Sequence, residues 1–150
     1  MKISIGADHA GYELKERIKA ELQKKGHEVI DEGTTSTASV DYPDYAAKVA
    51  HDVAGQRAER GVLVCGSGVG MAIAANKVHG IRAANVNSLI EAQLSREHNN
   101  ANIVSVGARF LKDEDAMQIV DRFLNTDFAG GRHAPRVEKI AKIEEEESRG

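Results

Sequence analysis

An α/β fold, a three-layer α/β/α sandwich built on a five-stranded parallel sheet, follows from three features of the sequence. Short apolar runs alternate five times with longer amphipathic ones. The short runs carry little polar surface, as befits strands covered on both faces. One of them, Val62-Leu63-Val64-Cys65, breaks into glycines at alternate positions, Gly66, Gly68 and Gly70, and then into the helix former Met71-Ala72-Ile73-Ala74-Ala75. Such a strand–turn–helix join belongs to a parallel sheet. Right-handed crossovers leave few topologies. The Rossmann/flavodoxin-like order 2-1-3-4-5, with a C-terminal helix added, is the expectation; it sets the first and third strands side by side at the switch point.

Taken in order, Lys2-Ile3-Ser4-Ile5-Gly6 reads as the first strand and Asp8-His9-Ala10-Gly11 as a turn. Tyr12 to Lys25 is a helix, because Leu14, Ile18 and Leu22 recur at spacing four with charges between them. Gly26 suits its left-handed cap. Glu28 to Asp31 is the second strand, and the polar, Thr- and Ser-rich stretch Glu32 to Asp41 is a loop. Asp41-Tyr42-Pro43-Asp44 starts the next helix, with proline in its first turn. Ala46, Val49, Ala50 and Val53 form its apolar stripe, and Gly55 ends it. Val62 to Cys65 is the third strand and Ile81 to Val86 the fourth. Ser88-Leu89-Ile90-Glu91 has capping-box spacing and opens a helix to about Glu97. His98 to Asn102 is a polar corner, and Ile103 to Val106 the fifth strand, followed by Gly107-Ala108-Arg109. A helix runs from Asp113 to about Leu124, and Asn125 to Gly131 is a loop. Pro135 opens the last helix, with Val137, Ile140 and Ile143 expected to face inward and Glu144 to Glu147 in solvent.

The 150 residues suit one domain, 1–150, with a single substantial core. A net charge of −3 argues against nucleic acid as partner. A lone cysteine forms no internal disulfide, so a reducing cytoplasm is expected. No secretory signal is visible, and no apolar run nears the ~20 residues of a membrane span, so no membrane partner is expected. The six histidines include no H-x-x-x-H pair and there is no second cysteine, so no metal is expected.

In such sheets ligands sit beyond the carboxyl ends of the strands. Asp8 and His9 follow the first strand and Cys65 ends the third, about 5 Å away across the sheet. The helix that opens after Cys65 points unpaired N–H groups and a positive dipole end at it. The turn is therefore suited to cradle an anion and to hold a reactive thiolate. Plainer readings stand beside this one. A lone cysteine is often a small buried hydrophobe. Asp8 suits a helix cap, His9 a loop, His98 the end of a helix and Arg109 a surface ion pair. Arg132 and Arg136 bracket the start of the last helix and suit a phosphate, although solvated arginines are commoner. The dinucleotide fingerprint fails at Met71, the phosphate loop is absent, and a phosphatase-type arginine six residues after Cys65 is again Met71. Gly66-Ser67-Gly68 lacks the spacing of a hydrolase elbow. Whether His98, Asn99 and Arg109 reach the Cys65 pocket of their own chain or a partner's is left open by the sequence.

The segments Asp8-His9-Ala10-Gly11, Asp41-Tyr42-Pro43, Cys65-Gly66-Ser67-Gly68-Val69-Gly70, Ala74-Ala75-Asn76-Lys77, Gly80-Ile81-Arg82-Ala83, Ser95-Arg96-Glu97-His98-Asn99 and Gly130-Gly131-Arg132-His133 with Arg136 cover nearly the whole chain. In this order they resemble the type B ribose-5-phosphate isomerases, a family that also holds galactose-6-phosphate isomerase subunits and allose-6-phosphate isomerases. The resemblance implies a cytoplasmic aldose–ketose isomerase of the pentose phosphate pathway. It would interconvert ribose 5-phosphate and ribulose 5-phosphate through an enediolate, with no metal or organic cofactor. It implies Cys65 as the base and His98 as the general acid of ring opening. The loop Gly66, Ser67, Gly68, Val69 and Gly70 would hold the enediolate oxygens through its amides. Asp8, His9 and Asn99 fall on substrate contacts, and Arg109, Arg132 and Arg136, with His9, on the phosphate site. A homodimer or tetramer with sites shared between chains is also implied. One branch uses a Glu where this chain has Met71, which places it with the cysteine branch. Ser67 replaces a frequent Thr and keeps its hydroxyl. A hexose-6-phosphate isomerase and a non-catalytic sugar-phosphate-binding subunit are the competing expectations.

Overall fold

The alternation legible in the sequence is the element order of the computed structural model, which describes residues 1–149. Strands β1 (Lys2–Ala7), β2 (Glu28–Asp31), β3 (Arg60–Cys65), β4 (Ala83–Asn85) and β5 (Ile103–Gly107) are joined by helices α1 (Tyr12–Lys24), α2 (Tyr42–Ala54), α3 (Val69–Ala75) and α4 (Leu89–Glu97). Helix α5 (Asp113–Leu124), a 3-10 turn (Gly131–His133) and α6 (Ala134–Arg149) complete the chain. The capping box at Ser88 forms, its hydroxyl accepting from the Glu91 amide at 3.2 Å.

All strand pairs are parallel, and the order is β2-β1-β3-β5-β4. This corrects the expected 2-1-3-4-5 at its far end. The reason lies in the two strands. β5 is buried along its whole length and takes the inner place. β4 has three half-buried residues, beside Arg82 and ending in Asn85, and such a short strand fits an edge. The exchange reverses the direction of the last crossover. A right-handed connection then carries α4 to the opposite face from α3.

The two faces bear this out. Ile3, Ile5, Val62, Val64, Val104 and Val106 pack with Leu14, Ile18 and Leu22 of α1, Ala92 of α4 and Phe123 of α5. Leu63, Cys65 and Ile103 pack on the other side with Val49 and Ala50 of α2 and Met71 and Ala75 of α3. Both faces are thus covered before α6 begins, and α6 has only the rim beside β4 to lie along. No residue of α6 is buried, and Ile140 and Ile143 are 47% and 61% exposed, against the expectation that they face inward. Glu144, expected in solvent, is half-buried and accepts from the Gly80 amide at 2.8 Å. Among the described residues no helix is long and apolar enough to cross a membrane.

Candidate active site

Ala7 of β1 pairs with Val64 of β3, so the residues that follow these strands emerge side by side. They open into a cavity of about 480 Å³ lined by Asp8, His9, Tyr42, Cys65, Ser67 and Arg109, among others. A larger groove of about 630 Å³ runs between α6 and β4, but its lining of Ile140, Ile143, Ala83, Ala84 and surface polar groups places no titrating pair against a nucleophile. The chemistry concentrates in the smaller cavity.

Cys65 is 5% exposed and belongs both to the core under α3 and to this cavity wall. The Gly68 amide donates to its Sγ at 3.1 Å. Gly68 is left-handed, φ +81°, and a Cβ there would strike Asn85 Nδ2 and the Val106 backbone, so only glycine fits. The loop is braced from below. Asn85 Nδ2 donates to the Ser67 and Ser105 carbonyls at 3.3 and 3.1 Å, and the buried Ser105 hydroxyl donates to the Gly68 carbonyl at 2.6 Å. A loop held this way presents its N–H groups without rearrangement. Two of those donors are already committed, Gly68 to sulfur and Val69 to Ser67 Oγ at 3.2 Å. The amides of Ser67 and Gly70 have no intramolecular partner among the described residues.

Arg109 is anchored by its own amide, which donates to the Gly66 carbonyl at 3.0 Å. Its guanidinium lies 3.1 Å from where a Gly66 Cβ would stand, so the arginine packs directly over the glycine turn. The Asp8 carboxylate accepts from the Gly11 amide at 3.0 Å, closing the turn ahead of α1. The N-cap of that helix is Gly11 itself, so Asp8 is a turn residue in the cavity wall and not the helix cap. His9 Nδ1 accepts from the Val40 amide at 3.2 Å.

His98, Asn99, Arg132 and Arg136 are not in this cavity. Helix α4 leaves the carboxyl edge after β4 and runs back, so His98, its C-cap, lies toward the amino edge where β5 begins. Ile103 pairs with Gly61 there and Gly107 pairs with Cys65 at the far edge, about 13 Å away at ~3.3 Å per residue. The His98 ring stacks on His133 with centroids 4.2 Å apart and planes at 16°. Partial burial, then the positive fields of His98, Arg132 and Arg136, hold the His133 imidazole below its ordinary range. Arg96 fixes this corner. It is 3% exposed and donates to the Thr126 and Ala101 carbonyls at 3.0 and 2.6 Å, tying α4 to the loop that carries Arg132. Burial first, and then the nearby Arg60, bring its pKa down to about 10.

The structure therefore unites Asp8, His9, Cys65, Gly66, Ser67, Gly68, Val69, Gly70 and Arg109, and gathers His98, Arg132 and Arg136 at the other end of the sheet, with Asn99 exposed beside them. Among the described residues no three His, Cys, Asp or Glu side chains converge as metal ligands do. Sequence reasoning passed over Tyr42, Phe110 and His133. Tyr42 and Phe110 line the cavity and remain 42% and 72% exposed. Tyr42 figured only in the helix start Asp41-Tyr42-Pro43-Asp44, in phase with Ala46, Val49 and Val53, and nothing local set it apart as a site residue. Its position one turn beyond the sheet edge turns it into the cavity.

A family model described as Ribose/Galactose Isomerase matches residues 3–140. Ribose-5-phosphate isomerase B of Escherichia coli K12 is 49% identical, covering 96% of this chain and 97% of the relative. D-erythrulose-4-phosphate isomerase of Pectobacterium atrosepticum is 43% identical, covering 98% and 97%. The solved structure of Clostridium thermocellum ribose-5-phosphate isomerase B superposes with a TM-score of 0.96 at 52% identity, covering 97% of this chain and 99% of that one.

Proposed function

The chain belongs to the ribose/galactose isomerase family, and from that premise we propose that it interconverts ribose 5-phosphate and ribulose 5-phosphate in the pentose phosphate pathway of the cytoplasm. The observation that carries this reading is the division of its chemistry. One end of the sheet holds a sulfur among preorganised amides. The other holds cationic groups suited to a phosphate. A sugar phosphate needs both, and a homodimer that sets the His98 end of one copy against the Cys65 end of the other supplies both.

In that assembly His98, as general acid, assists opening of the sugar ring. The Cys65 thiolate takes the proton from C2 of the open aldose. The C2–H electron pair becomes the C1=C2 bond, and the carbonyl oxygen O1 takes the negative charge. The amides of Ser67 and Gly70, which like that of Gly66 have no partner among the described residues, hold the enediolate oxygens. The Cys65 thiol then returns its proton to C1 while the O2 hydroxyl proton passes to O1, so that O1 ends as a hydroxyl, the O2–H electron pair becomes the C2=O2 bond and C2 becomes the ketone. The proton budget closes within the substrate and these side chains, so no step calls for a cofactor. Arg132 and Arg136 from the second copy, with Arg109 and His9 of the first, grip the phosphate. Asp8 and the second copy's Asn99 contact the sugar hydroxyls. Binding energy at the phosphate orients C1 and C2.

The test is turnover of ribose 5-phosphate by the wild type and by Cys65→Ala. Loss of a positioned base is expected to lower kcat by about 10²–10⁴-fold with substrate affinity largely kept. An unchanged kcat removes Cys65 from the role. A second reading, that the preferred sugar is shorter or longer, is favoured by the relative named for a four-carbon sugar phosphate on one side and by the family's description as ribose/galactose isomerases on the other. A panel of four-, five- and six-carbon aldose phosphates compared by kcat/KM decides it.

A further inference from the structure

His9 and Cys65 line one cavity, and a cysteine beside a histidine invites the reading of an acid–base pair. The hydrogen bonds around His9 point elsewhere. Its Nδ1 receives the Val40 N–H at 3.2 Å. A main-chain amide donates and never accepts. Nδ1 is therefore the unprotonated nitrogen, and the neutral ring carries its proton on Nε2.

The loop that carries the Val40 amide is fixed at Gly33 and Thr34 and runs, through exposed residues 35–39, into α2 directly after Val40. On one side the loop is clamped to the sheet edge: the Ala7 amide donates to the Gly33 carbonyl at 2.7 Å and the Thr34 amide to the Ala7 carbonyl at 2.8 Å. Beneath it the fully buried Lys15 ammonium donates to the Thr34 carbonyl and to Asp31 Oδ1, both at 2.8 Å. On the other side Asp41 is the N-cap of α2. Val40 lies between these two anchors.

We propose that Val40 is a positioning residue whose main-chain N–H fixes His9 as the Nε2–H tautomer, so that His9 donates a hydrogen bond to the substrate and takes no part as a second base. The proposal rests on the cavity being the sugar-phosphate site. It leaves Cys65 as the group that moves the carbon-bound proton, and it gives the neutral imidazole a donor for a sugar or phosphate oxygen. The same N–H bond accounts for the polar, Thr- and Ser-rich loop of 32–41 having a place in the site at all. Its contribution is one backbone amide.

The test is ¹⁵N NMR of the histidine rings in the full-length, ligand-free protein. Wild type, Val40→Ala and Val40→Pro are compared, with His9→Asn used for assignment. Wild type and Val40→Ala, which keep the amide, are expected to show His9 protonated at Nε2 alone. Val40→Pro, which has no N–H, is expected to show averaged ring-nitrogen shifts from a mixture of tautomers. KM for ribose 5-phosphate is expected to rise about three- to tenfold in Val40→Pro, with a smaller change in kcat. A wild-type ring protonated at Nδ1 overturns the proposal, and so does a Val40→Pro ring that keeps the pure Nε2–H form. If the proline variant does not fold, the wild-type spectrum alone decides. Because the spectra need no turnover, a chain that isomerises no sugar phosphate would fail the functional reading and leave the tautomer result standing.

Discussion

The two ends of the sheet are built differently. At the carboxyl edge each loop is tied down: Asn85 and Ser105 brace the glycine turn, and Lys15 with Asp31 clamps the loop that reaches His9. At the amino edge Arg96 secures the backbone, but Arg132 and Arg136 are exposed and appear in none of the ion pairs among the described residues. The first end resembles a finished mould. The second resembles a set of charges awaiting an anion. On the proposed reading neither end is a complete site by itself, and stability and binding should separate between them.

Three measurements sharpen that contrast. The largest effect is on stability, at the braced end. Burial alone would raise the Asp31 carboxyl, but the bonds from Lys15 and Lys19 and the Gly33 amide outweigh it and hold it below the ordinary carboxylate range. Asp31→Asn takes from the buried Lys15 ammonium its closest carboxylate, leaving it the Thr34 carbonyl at 2.8 Å and Glu16 at 3.3 Å, and is expected to cost about 2 kcal/mol of unfolding free energy at pH 7. A carboxylate depressed in the folded state stabilises above its unfolded pKa, and that contribution fades as pH falls through the folded value. The gap between wild type and variant in urea unfolding should therefore close in acid, below about pH 4. A gap unchanged from neutral to acid pH would contradict the clamp.

Next is binding, at the unbraced end. Arg132→Ala is expected to raise KM about tenfold or more, the loss of a charge-assisted bond to phosphate, while stability stays within about 0.5 kcal/mol. Equal affinity of wild type and variant for ribose 5-phosphate would remove Arg132 from the clamp. The smallest effect is spectroscopic. A phosphate dianion beside His98, Arg132 and Arg136 offsets the field that depresses His133. Its NMR titration midpoint should move upward on adding inorganic phosphate, and a midpoint that stays put would show that no anion binds there.

Much of this was legible from periodicity alone. Leu14, Ile18 and Leu22 lie buried as their spacing requires, and Ser88 caps α4 through Glu91. The glycine turn could be read because three glycines after a β-branched run leave little else. The β5–β4 exchange was less visible, since neighbouring elements usually pair in sequence; the polar Arg82 and Asn85 were the clue to an edge. Ile140 and Ile143 kept helical spacing but found no uncovered sheet face. The separation of His98 from Cys65 was hidden for a related reason: the direction in which α4 runs depends on topology, and no local pattern reports it. Asn85 and Ser105 act through hydrogen bonds to carbonyls, which leave no periodic trace.

The shared site is tested most directly by mixing two inactive variants, Cys65→Ala and His98→Ala, under conditions that let subunits exchange. Each hybrid dimer would contain one site with both residues intact, and hybrids would make up half the dimers. Activity should therefore return to about a quarter of the wild-type rate, because a two-fold interface pairs one end of each copy with the other end of its mate. Hybrids shown to form by mass spectrometry, yet with no more activity than the separate variants, would mean that Cys65 and His98 never serve the same sugar.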